Sequence, residues 1–367
     1  MLPPLYERWM ADVLAGPTPE ESAATCDDCA MLPKPGEPEG SRAVQFTDVK
    51  CCTYQPLVHN FLAGGVLSDD SADGAAGRAV LEGMIESRNG VTPLGVGGSP
   101  AYWLLYGSDP HGFGNSAELL CSFFEKGTGR CGIWRHRDST CATWFCKHDR
   151  GAVGEAYWRE LQMWLRTAER AVAWHCALEL GLETEALRHL CENTGLETRG
   201  RIAPGLDGRA NSKNHRRRWG KLEGRERDFY RSCARIADGL DRAQVVALMG
   251  AEGKLRTRIL HEADVALQAW QPPLVPLRLG RHRPLVAPPG KVRLTTYRDY
   301  DPIDVPVAVF AALQHFDGRP TAEVVTEVEA GQGVRLTPGV LRELTDFELL
   351  VPAEPPPELP PVDPSAA

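Results

Sequence analysis

Eight of the 11 cysteines fall between residues 26 and 146, and they fall in two groups of four. Cys26-x2-Cys29 is followed after 21 residues by the adjacent pair Cys51-Cys52, and the second group reads Cys121-x9-Cys131-x9-Cys141-x4-Cys146. Four thiolates are what a tetrahedral zinc site or a cubane iron–sulfur cluster takes, because both place sulfur at the corners of a tetrahedron. A CxxC spacing lets two sulfurs converge on one ion while backbone amides stay free to donate to them. The pattern predicts an irregular N-terminal domain held by its ligands.

The 367 residues suffice for two or three domains with real cores, so disulfides are not needed for stability. No stretch approaches the ~20 uninterrupted apolar residues of a membrane span, and the opening MLPPLYERWM has neither a basic nor an apolar secretory region. The chain therefore reads as cytoplasmic, with no membrane partner. Thiols stay reduced in that compartment, which turns grouped cysteines toward metal rather than bridges. With 41 Lys+Arg against 49 Asp+Glu, the net charge of −8 disfavours a nucleic-acid partner. The exception is the basic segment 213–221, Lys213 to Lys221 with Trp219, which reads as a solvated loop balanced by Glu223, Glu226 and Asp228.

Residues 1–150 show only short periodic segments, such as a helix through Val80, Leu81, Met84 and Ile85. From about 153 the pattern turns helical: Tyr157, Leu161, Trp164, Leu165, Ala168 and Val172 mark one face of a helix, with Gly181 to cap its end. Further helices are expected at 225–238, at 241–249 between Asp241 and Gly250, and at about 253–270. Cys176, Cys191 and Cys233 stand singly in this region and read as core thiols, as His175 reads as a core residue. Gln271-Pro272-Pro273 breaks the helical pattern. Short strands at 274–279 and 291–297, the second after a Pro288-Pro289-Gly290 turn, precede a helix at 304–315. Thr321 is expected to cap a helix to about 329, and Thr337 a last helix with Pro338 at its first position. A strand at 347–351 closes the pattern, and the proline-rich tail 352–367 reads as disordered. Gly90 to Pro100 lacks the lysine and the spacing of a phosphate loop and is expected as a loop near the metal site.

Neighbouring side chains of extended backbone point to opposite sides. Cys51 and Cys52 are thus expected to divide between two nearby sites or to serve one polynuclear cluster. His136 and His148 are near enough in sequence to replace or support a ligand, or else are exposed polar positions among the surrounding charges.

The run from Leu120 to Cys146, with Cys121-Ser122-Phe123-Phe124, Cys131-Gly132-Ile133-Trp134, Arg137, Cys141 and Cys146, resembles the second half of the YkgJ-type cysteine-cluster proteins, a zinc/iron-chelating family. Cys26-x2-Cys29 and Cys51-Cys52 resemble its first half, so the resemblance spans about 26–150. It implies a metal or iron–sulfur site; a related cysteine cluster occurs in flagellin lysine N-methylases. Phe310 to Val325, with Asp317-Gly318 and Thr321, followed by Leu341 to Leu350, resembles the PqqD-type winged-helix peptide-recognition domains, which implies a peptide or protein added at a strand edge.

The expectation is an α+β, mainly α chain. A cysteine-rich metal-binding domain (1–150), a helical domain (151–271) and a winged-helix-like domain (272–351) precede the tail. Cys26, Cys29, Cys51, Cys52, Cys121, Cys131, Cys141 and Cys146 are the expected ligands of zinc or an iron–sulfur cluster. The alternative is an iron–sulfur enzyme or accessory factor in peptide or protein modification, methylase-like or peptide-maturation-like, with the C-terminal domain recognising the substrate.

Overall fold

The computed structural model describes residues 2–11, 13–14, 16–26, 28–192, 210–269 and 275–354. The expected breaker at 271–273, the first residue of the expected 274–279 strand, and the tail beyond Glu354 lie outside them. The described residues are mainly helical, with four small antiparallel sheets. Backbone contacts divide the chain into two compact units, one of Met1–Pro33, Gln45–Cys146 and Ala156–Val265, the other of Lys34–Val44, Lys147–Glu155 and Ala266–Ala367. The cysteine-bearing segments and the helices up to Val265 thus fold as one unit. No described helix is long and apolar enough to cross a membrane.

In the first unit, α1 (Pro4–Met10) begins on Pro4 and buries Tyr6, Trp9 and Met10. β1 (Val58–His59) leads into α2 (Asn60–Ser68), and α3 (Ala75–Ser87) carries the expected Leu81 and Ile85 inward. The glycine-rich stretch is a hairpin of β2 (Val91–Thr92) and β3 (Gly95–Val96) rather than a plain loop, and β3 also pairs with β1. Ser99 accepts a hydrogen bond from Tyr102 N at 3.1 Å and so caps α4 (Pro100–Ser108). β4 (Phe124–Glu125) and β5 (Arg130–Cys131) form a hairpin that reverses with Gly129 at φ 70°. α5 (Ser139–Thr143) follows.

The apolar stripe sits on α6 (Gly151–Glu179), where Tyr157, Leu161, Trp164, Leu165, Ala168 and Val172 are all fully buried. α7 (Thr184–Glu192) and α8 (Ser212–Trp219) follow. The basic segment expected as a loop is this α8: Asn211 caps it, and His215 and Trp219 turn inward while Arg216 pairs with Glu223 at 3.2 Å. α9 (Glu226–Asp238) crosses α2 at the closest approach, because Gly64 leaves room for the Tyr230 carbonyl. α10 (Arg242–Gln268) opens with Asp241 and Gln244 bonding each other's backbone amides, a capping box. It breaks at Gly250, whose φ of 66° and ψ of −142° lie outside the helix.

In the second unit, β6 (Leu277–Leu279) pairs with the closing strand, β7 (Arg283–Leu285) pairs with β8 (Lys291–Thr295), and β8 pairs with β9 (Ile303–Pro306). Residues 304–306, expected to begin a helix, are therefore strand. Ile303 and Val305 alternate inward against β8, and α11 (Val307–Ala312) starts only after Pro306. α12 (Thr321–Gln332) has Pro320 at its cap position, and the Thr321 hydroxyl instead donates to the Val275 carbonyl at 2.7 Å. Thr337 does cap α13 (Pro338–Asp346), accepting from Val340 N at 3.3 Å. The closing strand β10 (Leu350–Pro352) begins later than expected and takes in Pro352, opposite Leu277. Leu277, Leu294, Val324, Val328, Leu344 and Leu349 build the core.

Candidate metal centre

Four segments of the first unit carry the predicted ligands. Cys26, exposed, and Cys29, buried, lie on the N-terminal one. Cys51 and Cys52 follow Lys50, which has φ 57°, and the turn closes with Tyr54 N donating to Cys51 O at 3.3 Å. Cys121 is laid beside them: its N–H donates to Cys52 O at 2.7 Å, and Ser122 N donates to the Gln55 side chain at 2.8 Å. Cys131 stands on β5 opposite Phe124. Cys141 is on α5, where Asp138 accepts from its N–H at 2.9 Å and caps the helix. Cys146 is buried at the end of the segment after α5.

The thiols act on one another. Cys26 feels Cys29 and Cys52; Cys51 feels Cys52, Cys26 and Cys141; Cys121 feels Cys131 and Cys52; Cys131 feels Cys52 and Cys26; and Cys141 feels Cys121 and Cys131. The adjacent pair departs from the extended geometry expected for it. Residues 48–53 are turn, and the two thiols hydrogen-bond each other. That bond raises Cys51, as donor, and lowers Cys52, whose thiolate accepts it. Burial pushes Cys131 up to about 11, raises Cys121 further, and raises Cys141 with help from the Asp138 charge.

Two cations stand among them. Lys50 Nζ donates to the carbonyls of Cys26 at 2.8 Å and Gly129 at 3.3 Å. Arg137, 7% exposed, donates to Trp134 O at 3.0 Å and Cys141 O at 3.2 Å, with its guanidinium carbon 3.4 Å from the Trp134 ring centroid.

Behind α5 lies a buried polar group. Glu169 of α6 accepts from Ser139 N at 2.7 Å and Ser139 Oγ at 2.6 Å, and Tyr6 of α1 donates its hydroxyl to the same carboxylate. His59 Nδ1 is 3.9 Å from Glu169 and makes no hydrogen bond; burial lowers this imidazole to about 4, so it is neutral. Burial, and then the neighbouring Glu169 charge, raises Asp138 to about 6; burial likewise raises Glu169 to about 6.

Among the described residues, no three or more His, Cys, Asp or Glu side chains are drawn together closely enough to hold a metal ion. The donor chemistry nonetheless fits a soft cation. Burial holds the Cys121, Cys131 and Cys141 thiols above the usual thiol range, so their thiolates call for added positive charge, which a soft cation would supply.

Neither histidine weighed as a ligand is simply exposed. His136 is partly buried and hydrogen-bonds Asp69 through Nε2 at 3.2 Å. His148 is buried in the second unit, bonded to Tyr297 OH at 3.1 Å, with its own N–H donating to Asp301 at 2.9 Å. Cys176 and Cys233 are fully buried, the Cys176 thiol 3.6 Å from the Cys233 carbonyl, whereas Cys191 is exposed and is not a core thiol. His175 is half-buried.

Lys50, Arg137, Asp138 and Glu169 are the site residues that the cysteine spacing did not single out. Three had a signal: Arg137 is among the residues that carry the resemblance, Asp138 before Ser139-Thr140-Cys141 is an N-cap pattern, and Glu169 interrupts the apolar stripe four residues after Leu165. Comparison with known proteins finds no matching family model, no matching curated protein and no matching solved structure.

Proposed function

We propose that the protein binds metal through the cysteine group, holding zinc or an iron–sulfur cluster with ligands drawn from Cys26, Cys29, Cys51, Cys52, Cys121, Cys131, Cys141 and Cys146. What supports this reading is that the segments carrying Cys26, Cys51–Cys52, Cys121, Cys131 and Cys141 lie within electrostatic reach of one another, with Cys121 N–H bonded to Cys52 O and the Cys51 and Cys52 thiols bonded to each other; Cys146 enters on its spacing alone. A closed four-thiolate zinc would contribute folding free energy, and an iron–sulfur cluster would add one-electron chemistry. The chain's own part is to supply the soft donors from separate segments and to offset their charge with Lys50 and Arg137.

A peptide- or protein-modifying role is the second reading. β10 is hydrogen-bonded to β6 in a two-stranded sheet, an arrangement to which an extended peptide can add a strand.

Anaerobic purification followed by metal analysis and an absorption spectrum tests the proposal. Broad visible absorption with iron and sulfide indicates a cluster; a colourless protein with bound zinc indicates the closed site. Cys131→Ser is expected to lower the metal content in either case. Wild-type protein that holds neither metal refutes the proposal, and a Cys131→Ser protein with full content removes that residue from the ligand set.

A further inference from the structure

Lys50 has a left-handed backbone at φ 57°, a conformation that glycine or asparagine adopts more readily than lysine. A strained residue persists where its surroundings over-determine it, and such residues cluster at working sites. Its side chain reaches two carbonyls that belong to different cysteine-bearing segments: Cys26 O at 2.8 Å, 24 residues earlier, and Gly129 O at 3.3 Å, 79 residues later. Gly129 is the reversal of the β4–β5 hairpin that presents Cys131, and a Cβ there would already touch Nζ at 3.4 Å. Lys50 also immediately precedes Cys51 and Cys52.

We propose that Lys50 is a positioning residue for the metal centre, its ammonium tying the Cys26 segment and the Cys131 hairpin to the Cys51–Cys52 turn. This inference rests on the metal-binding reading. The three segments are far apart in sequence, and each must surrender conformational freedom before its sulfurs can share a ligand. One ammonium with two carbonyl acceptors fixes part of that arrangement beforehand. A methionine keeps the length and apolar stem of Lys50 but neither donates nor carries charge, and an arginine restores both.

The test is zinc titration of the reduced full-length chain against a chromophoric chelator, for wild type, Lys50→Met, Lys50→Gly and Lys50→Arg. Loss of an outer partner of a metal ligand typically costs about 10–100-fold in affinity, and that loss is expected for Lys50→Met and Lys50→Gly, with Lys50→Arg recovering most of it. Lys50→Gly removes the backbone strain as well, so its loss is assigned to the ammonium and not to the turn. Wild-type affinity in the Met and Gly variants, with the wild type binding zinc, overturns the role of Lys50 alone. That role is overturned equally if those variants bind zinc normally once folded but unfold earlier without metal. Wild-type protein that takes up no zinc and no iron overturns the metal-binding reading and this inference with it.

Discussion

The two carboxylates behind α5 make stability depend on pH in a direction opposite to that of ordinary paired acids. Asp138 and Glu169 are each raised to about 6 from reference values of 3.8 and 4.5. The folded chain therefore keeps these protons to higher pH than the unfolded chain does. Their contribution is complete below about pH 4 and is lost as pH rises through 6. At about 1.4 kcal/mol for each pH unit between folded and unfolded values, the rise amounts to a few kcal/mol that belongs to the two acids as a pair. Glu169→Gln removes one acid outright and removes the charge that is the second cause of the rise in Asp138. Relative to wild type, the variant is expected to gain about 2–3 kcal/mol between pH 4.5 and 7. The amide is a poorer acceptor for Ser139 N and Oγ, which lowers its stability by about 1 kcal/mol at every pH and leaves the slope unaffected. Urea unfolding of the reduced, metal-free chain at several pH values reads the difference directly. Acids elsewhere titrate alike in both proteins, so a stability difference that stays constant from pH 4.5 to 7 refutes the assignment of a shared, buried acid pair.

Gly64→Ala would place a methyl 1.9 Å from the Tyr230 carbonyl oxygen and 2.8 Å from the Ala234 Cβ, forcing α2 and α9 apart. A loss of about 3 kcal/mol in urea unfolding, the top of the usual overpacking range, is expected, whereas Gly83→Ala, with open space around it on α3, should gain about 0.5–1 kcal/mol. Equal effects at the two glycines would contradict the helix crossing. Alkylation of the native protein followed by mass spectrometry should modify Cys191 quickly and Cys176 and Cys233 only after unfolding, because the first is exposed and the other two are fully buried. Rapid native labelling of Cys233 would show that the α6–α9 packing is wrong.

Local chemistry was legible residue by residue. The 3.6-residue stripe from Tyr157 to Val172 was enough to place α6, because a helix with one apolar face has a single way to bury it. Asp241, Gly250, Thr337 and Pro338 marked helix ends because capping and left-handed turns depend on a residue and its near neighbours. The two populations of cysteine, one grouped and one scattered, were visible in spacing alone, although Cys191 shows that a single thiol on a helix need not face inward.

What the sequence could not supply was every feature that depends on a second segment. Residues 304–306 became strand because β8 was there to pair with them, overriding a pattern compatible with helix. Cys51 and Cys52 bond each other because the chain turns there instead of running extended, and Lys50 in that turn is held by carbonyls 24 and 79 residues distant. Glu169 breaks an apolar face, and only the fold supplies its partners, Ser139, 30 residues away, and Tyr6, 163 residues away. Periodicity and capping are written into neighbouring residues, whereas the approach of distant segments is decided by how the whole chain buries its apolar surface and satisfies the polar groups trapped there. The sequence by itself determined which residues carry the soft-donor chemistry; the tertiary structure decided which of them meet.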